Sequence, residues 1–182
     1  MRSVYLIVLS MVLCAALTAV SAQTGAAKPS GTVVREPFTL RLKIDKDHYQ
    51  EFHYDKQPYV SENEVYLFSG DKFGVNLIVK GDRVAEVRYQ PDVTKADIVF
   101  GFEQPKELQN GIGMALTIDN KTKHGVSMEV MGSVPGKKDP FKDKIPLVQA
   151  GKPDLEWWPH PIAQLVLGNL QLTANDAVQP KK

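Results

Sequence analysis

The stretch GIGMALTIDNKTKHGVSMEVMGSV, residues 111–134, decides the fold. Met114, Leu116 and Ile118 alternate with Ala115, Thr117 and Asp119, and Val126, Met128 and Val130 alternate with Ser127, Glu129 and Met131. A period of two is the mark of a strand with one buried face. Setting Ile118 opposite Val126 also sets Leu116 opposite Met128 and Met114 opposite Val130, so the pattern predicts a β-hairpin whose single register matches every apolar residue with another. A slip of one residue would turn one strand's apolar set to water.

Working outward, residues 38–44 alternate strictly, with Phe38, Leu40, Leu42 and Ile44 inward. Residues 45–59 are charged and aromatic without a sustained period, which predicts a loop or short edge element; a second strand is expected over 64–68. Residues 73–79 and 84–89 form another hairpin, where two rules disagree. Gly81-Asp82 suits a two-residue turn, but that register sets Leu77 opposite Glu86. Adding Arg83 to the loop puts Val75, Leu77 and Val79 on one face with Ala85, Val87 and Tyr89, and the burial pattern is preferred because it involves more free energy.

Residues 96–102 supply a further strand. The lysine-rich, proline-interrupted segment after Val134 predicts a loop, 147–149 a short strand, and 152–161 a proline-bounded crossover. In the last strand, 162–172, the apolar phase changes at Gly168-Asn169, which predicts a β-bulge. Short strands with turn signals between them, and no helical period of useful length, predict an all-β, single antiparallel β-sandwich over residues 37–173, with an immunoglobulin-like topology preferred.

Ahead of the domain, Arg2, an apolar run over 4–20 and Val20-Ser21-Ala22 predict a signal peptide over 1–22, hence a secreted or periplasmic protein. Residues 23–36 are small, polar and Pro/Gly-bearing, which predicts a flexible tether, and 174–182 predict a similar tail. Cys14, the one cysteine, lies in the leader, so the mature chain has no disulfide and no thiolate chemistry. Removing Arg2 takes 22 basic residues to 21 against 21 acidic ones. A neutral chain has no general attraction for nucleic acid or anionic lipid, and neither is expected as a partner, nor is an integral membrane segment after cleavage.

No phosphate loop, nucleophile elbow or zinc motif is present, so no cofactor is expected and catalysis is the minority reading. Trp157 and Trp158, followed by Pro159, His160 and Pro161, form the favoured binding candidate, for a protein or glycan. Adjacent residues of an extended segment face opposite ways, so one ring should be exposed while the other anchors the core. The alternative is a copper carrier using His124, Met128 and Met131, because imidazole and thioether suit copper outside the cytoplasm. Strand parity opposes it, since Met128 belongs to the inward set and Met131 to the outward one. His48 and His53 are five residues apart, which puts them on opposite faces of a strand. A third alternative is a hydrolase with a carboxylate pair drawn from Asp97, Glu103 and Glu156. Asn120-Lys121-Thr122 matches the N-glycosylation acceptor, relevant in a eukaryotic secretory pathway, in a hairpin loop expected to be accessible.

Overall fold

Alternating apolar residues need a second apolar surface to cover them, and in this chain that surface is another sheet. The computed structural model describes residues 32–173. One sheet is formed by β3 (Val60–Ser61), β4 (Glu64–Leu67), β9 (Gly125–Ser133), β10 (Phe141–Val148) and β12 (Gln164–Thr173), in the order β10-β9-β12-β4-β3. The other holds β5 (Asp71–Lys80), β6 (Arg83–Gln90), β7 (Ile98–Glu103), β8 (Met114–Asn120) and β11 (Lys152–Trp158), in the order β11-β8-β7-β5-β6. A separate hairpin of β1 (Phe38–Lys43) and β2 (Tyr49–Tyr54) adds Leu40 and Leu42 to the core. Every strand pair is antiparallel, as expected. Two five-stranded sheets with a separate hairpin are not the four-plus-three arrangement of an immunoglobulin constant-type domain, so the preferred topology is not reproduced.

The predicted central hairpin is corrected. Met114, Leu116, Ile118, Val126, Met128 and Val130 are all at most 2% exposed, so the faces were read rightly. However, β8 pairs with β7 and β11, whereas β9 pairs with β10 and β12. The two apolar sets meet across the core instead of lying side by side. The chain passes from one sheet to the other at a sharp arch whose pivot is Asn120, fully buried. Its Nδ2 donates to the carbonyls of His124, Val148 and Gln149 at 2.9, 3.1 and 3.2 Å, and its Oδ1 accepts from Thr122 N and Oγ1. The side chain thus satisfies main-chain groups that an arch strips of ladder partners.

Between β5 and β6 the preferred three-residue loop is corrected, and Val79 and Ala85, expected inward, are exposed; the burial register holds only beyond the tip. The tip is the two-residue turn, with Lys80 opposite Arg83 and Val79 opposite Val84. A register shift beyond Val79 then leaves Ala85 unpaired and restores Leu77 opposite Val87 and Val75 opposite Tyr89. Asn63, from the β3–β4 turn, accepts the Val87 N–H at 2.9 Å beside this bulge. In β12 the register likewise shifts between Gly168 and Gln171, where the bulge was expected, and Asn169 has φ 49.

Two segments read as irregular are strands. Residues 141–146, read as loop, extend the short strand expected at 147–149 into β10, with Ile145 and Val148 buried, and 152–158 form β11, paired with β8 over its whole length. Pro146 and Pro153 are tolerated because both strands are sheet margins.

The domain also begins earlier than residue 37. Val34 bridges Pro58, Arg35 N donates to Gln57 O at 2.7 Å, and the Arg35 side chain is 7% exposed. Its guanidinium lies 4.0 Å from the Tyr59 ring centroid and 5.0 Å from that of Phe68. The leader, the tether up to residue 31 and the tail lie outside the described residues. Among the described residues, no helix is long and apolar enough to cross a membrane.

Candidate functional site

Strand β11, KPDLEWW, has a two-residue alternation that its prolines disguise. Pairing sets Trp157 opposite Ala115, Leu155 opposite Thr117 and Pro153 opposite Asp119 on the outer face, and Trp158 opposite Met114, Glu156 opposite Leu116 and Asp154 opposite Ile118 on the inner one. The outer set is a ridge standing in solvent, with Leu155 60% and Trp157 50% exposed. Alternate residues of a strand are spaced by about 6.8 Å, so the ridge runs roughly 14 Å along the sheet edge.

Beside the ridge lies a shallow groove of about 520 Å³, floored by Val99, Gly101 and Thr117 and bounded on the far side by Lys72. The floor is smooth because Gly101 has no side chain: a Cβ there would meet Thr117 Oγ1 at 2.5 Å.

The inner set faces the seam between the two sheet margins. Trp158 is 7% exposed, and its Nε1 donates to Asp143 Oδ2 on β10 at 3.3 Å. Its ring centroid is 6.1 Å from that of Phe141, and His160 stands edge-on to the same phenyl ring at 5.5 Å. Burial, then the Lys137 charge, pushes the His160 imidazole below its ordinary pKa. Burial, then the carboxylates of Asp154 and Asp143, pushes Glu156 above the usual carboxylate range. The two Trp rings therefore separate as strand parity requires, one anchoring and one exposed, while His160 belongs with the anchor.

The other sequence candidates are not brought together. Met128 is 1% exposed inside the core, Met131 is 37% exposed on the outer face of β9, and His124 lies exposed in the arch, so the copper set cannot converge on one ion. Among the described residues, no group of three His, Cys, Asp or Glu side chains is placed to hold a metal. His48 shares a hydrogen bond with Asp45 at 2.8 Å and His53 with Thr39 at 2.9 Å, each on its own neighbour. Asp97 Oδ2 accepts the Leu77 N–H at 2.8 Å. Glu103 lies at the far end of β7 from Asp97, roughly 20 Å along the strand, and its register partner Ala115 is on the opposite face from Glu156. No carboxylate pair forms. Asn120 is not an accessible acceptor in the folded domain, because its buried amide holds the arch and leaves no room for a glycan.

Sequence reasoning missed Pro153 and Leu155 as companions of Trp157, although their two-residue spacing was there to be read. It had no means of finding Asp143, which reaches the site from another sheet. A second hollow, of about 620 Å³, lies on the outer face of the first sheet between Lys142, Lys144 and Glu64. On this face Asn169 Nδ2 donates to Glu129 at 3.1 Å, and the Tyr66 hydroxyl, its pKa pushed up to about 12 by burial and then Glu64, donates to Glu64 at 2.8 Å.

No protein-family model matches this chain, and no curated protein or solved structure matches it.

Proposed function

We propose that this domain is a binding module without catalysis, an exported accessory component of the cell envelope or secretome, and that its contact face is the outer side of β11. The observation that carries the reading is the ridge of Pro153, Leu155 and Trp157 on an unpaired sheet margin. A rigid indole at the end of a row of apolar side chains loses little conformational entropy on contact and is the kind of anchor that dominates interface energies. Export rests on the leader sequence alone. Comparing Trp157→Ala with Trp158→Ala tests the reading. Trp158→Ala should lower the melting temperature; Trp157→Ala should keep it and lose a protein or glycan captured by the unaltered domain from the extracellular or periplasmic fraction. Unchanged capture by Trp157→Ala would overturn this contact face.

A further inference from the structure

We propose that β11 takes up an extended peptide as an added strand, and that the peptide it fits alternates basic with apolar residues. The proposal rests on the reading of β11 as the contact face and names its partner class.

Among the described residues, strand β11 has β8 as its one ladder neighbour, which leaves its other side open. The Leu155 N–H donates not to β8 but to the adjacent Asp154 Oδ1, at 2.9 Å. In an antiparallel ladder the two main-chain groups of a residue point the same way and alternate residues share that direction. Leu155 and Trp157 therefore direct N–H and C=O to the open side, where the Leu155 N–H would exchange Asp154 Oδ1 for a carbonyl of the incoming strand, and Pro153 directs its C=O alone. These groups can accept the main chain of an incoming strand, as sheet edges do in β-augmentation.

Side chains of an added strand would alternate in step with those of β11. On the outer face they would lie beside Leu155 and Trp157, which calls for apolar residues. On the inner face they would lie beside Asp154 and Glu156 and point toward Asp143. Among the described residues, none of these three carboxylates has a Lys or Arg nitrogen within salt-bridge distance. Burial and its two acidic neighbours hold Glu156 above the usual range, as expected of a margin short of positive charge. Lysine or arginine at alternate positions would supply it, their long stems covering the seam.

The same charges argue against a second copy of this chain. Antiparallel self-pairing centred on Leu155 would set Asp154 of each copy opposite Glu156 of the other, placing like charges directly across the strands. An acidic peptide is rejected for the same reason.

A capped heptapeptide alternating lysine and valine, titrated into the isotope-labelled protein and followed by amide NMR, tests the proposal. The Leu155 and Trp157 amides should shift and become slower to exchange. A peptide with glutamate for lysine should bind at least about tenfold more weakly, and Asp154→Asn combined with Glu156→Gln should weaken the lysine peptide by about as much while leaving the melting temperature unreduced. A lysine peptide N-methylated at alternate residues, which keeps its charge but cannot pair along the edge on its methylated side, should lose binding when the methyls face β11. Equal binding of the N-methylated forms would overturn strand addition, and equal binding by the neutralised variant would overturn the charge preference. No binding of the lysine peptide, with capture still dependent on Trp157, would overturn the partner class and leave the contact face standing.

Discussion

Arg35 Nη2 and Asp71 Oδ2 stand 2.6 Å apart, with the two side chains 7% and 18% exposed. The pair ties a segment that composition marks as tether to the start of β5. Arg35 also donates to the carbonyls of Pro58 and Tyr66, while Asp71 Oδ2 accepts the Phe68 N–H at 2.8 Å. Removing one partner of such a pair leaves the other uncompensated. Arg35→Ala should therefore destabilise the domain by about 3–5 kcal/mol in chemical denaturation, and a chain beginning at Pro37 should be weakened comparably. Equal midpoints for chains beginning at Thr32 and Pro37 would show that Arg35 contributes nothing.

Leu116 and Val130 are buried on opposing sheets, at 0% and 2% exposure. Truncating either to alanine removes apolar contact and leaves a cavity, at a cost of about 2–4 kcal/mol. Thr117→Ala, on the outer face, should cost much less. Similar denaturation midpoints for all three would mean that the faces of β8 and β9 are wrongly assigned.

Asn120→Asp tests the arch. The substitution is nearly isosteric, but it replaces a donor to three carbonyls with a carboxylate facing them. Thr122 Oγ1 and Lys152 N still donate to the His124 and Gln149 carbonyls, but the Val148 carbonyl loses its donor, at about 1–3 kcal/mol, and the new charge is buried facing oxygen, so the variant should be strongly destabilised at neutral pH. Asn120→Ala should be milder, because it adds no charge. A melting temperature for Asn120→Asp close to that of the unaltered protein would refute this role.

The seam should make stability depend on pH in two opposite ways. Burial, then Asp154 and Asp143, raises the Glu156 pKa above its ordinary 4.5, so the folded form binds the proton more tightly than the unfolded one. Stability from this group is present at low pH and is lost as pH rises from about 4.5 through the raised value. Glu156→Gln should flatten that loss and melt higher than the parent at neutral pH.

His160 has the reverse sign. Burial, then Lys137, lowers its pKa below the ordinary 6.5, so the unfolded chain takes up the proton first. Stability falls as pH drops from 6.5 through the lowered value, and His160→Gln should remove this part of the profile. A pH–stability curve identical for parent and variant would show that the imidazole titrates alike in both states.

Much of the site was legible in residues 152–158, since the odd positions hold Pro153, Leu155 and Trp157 and the even ones Asp154, Glu156 and Trp158. The separation of the two indoles follows from strand parity alone. Reading the segment as a crossover gave Pro153 and Pro159 too much weight: a proline excludes a central strand but not a margin. The placement of Asp143 against Trp158 was not legible, because it depends on which margins the two sheets share.

Periodicity by itself determined that this chain is built of strands, that Met114, Leu116, Ile118, Val126, Met128 and Val130 face its core, and that β12 is bulged at Gly168-Asn169, because each of these is a local property of side chains alternating along one strand. Tertiary structure alone decided which strands are neighbours. An apolar set satisfies its need for cover equally well beside another in one sheet or opposite another across the core, so the alternation of Met114 to Ile118 and Val126 to Val130 is the same for a hairpin and for an arch. Between the two, the choice falls to contacts remote in sequence: β12 inserting between β9 and β4, β11 claiming the free side of β8, and Asn120 supplying the hydrogen bonds that turn the chain from one sheet to the other.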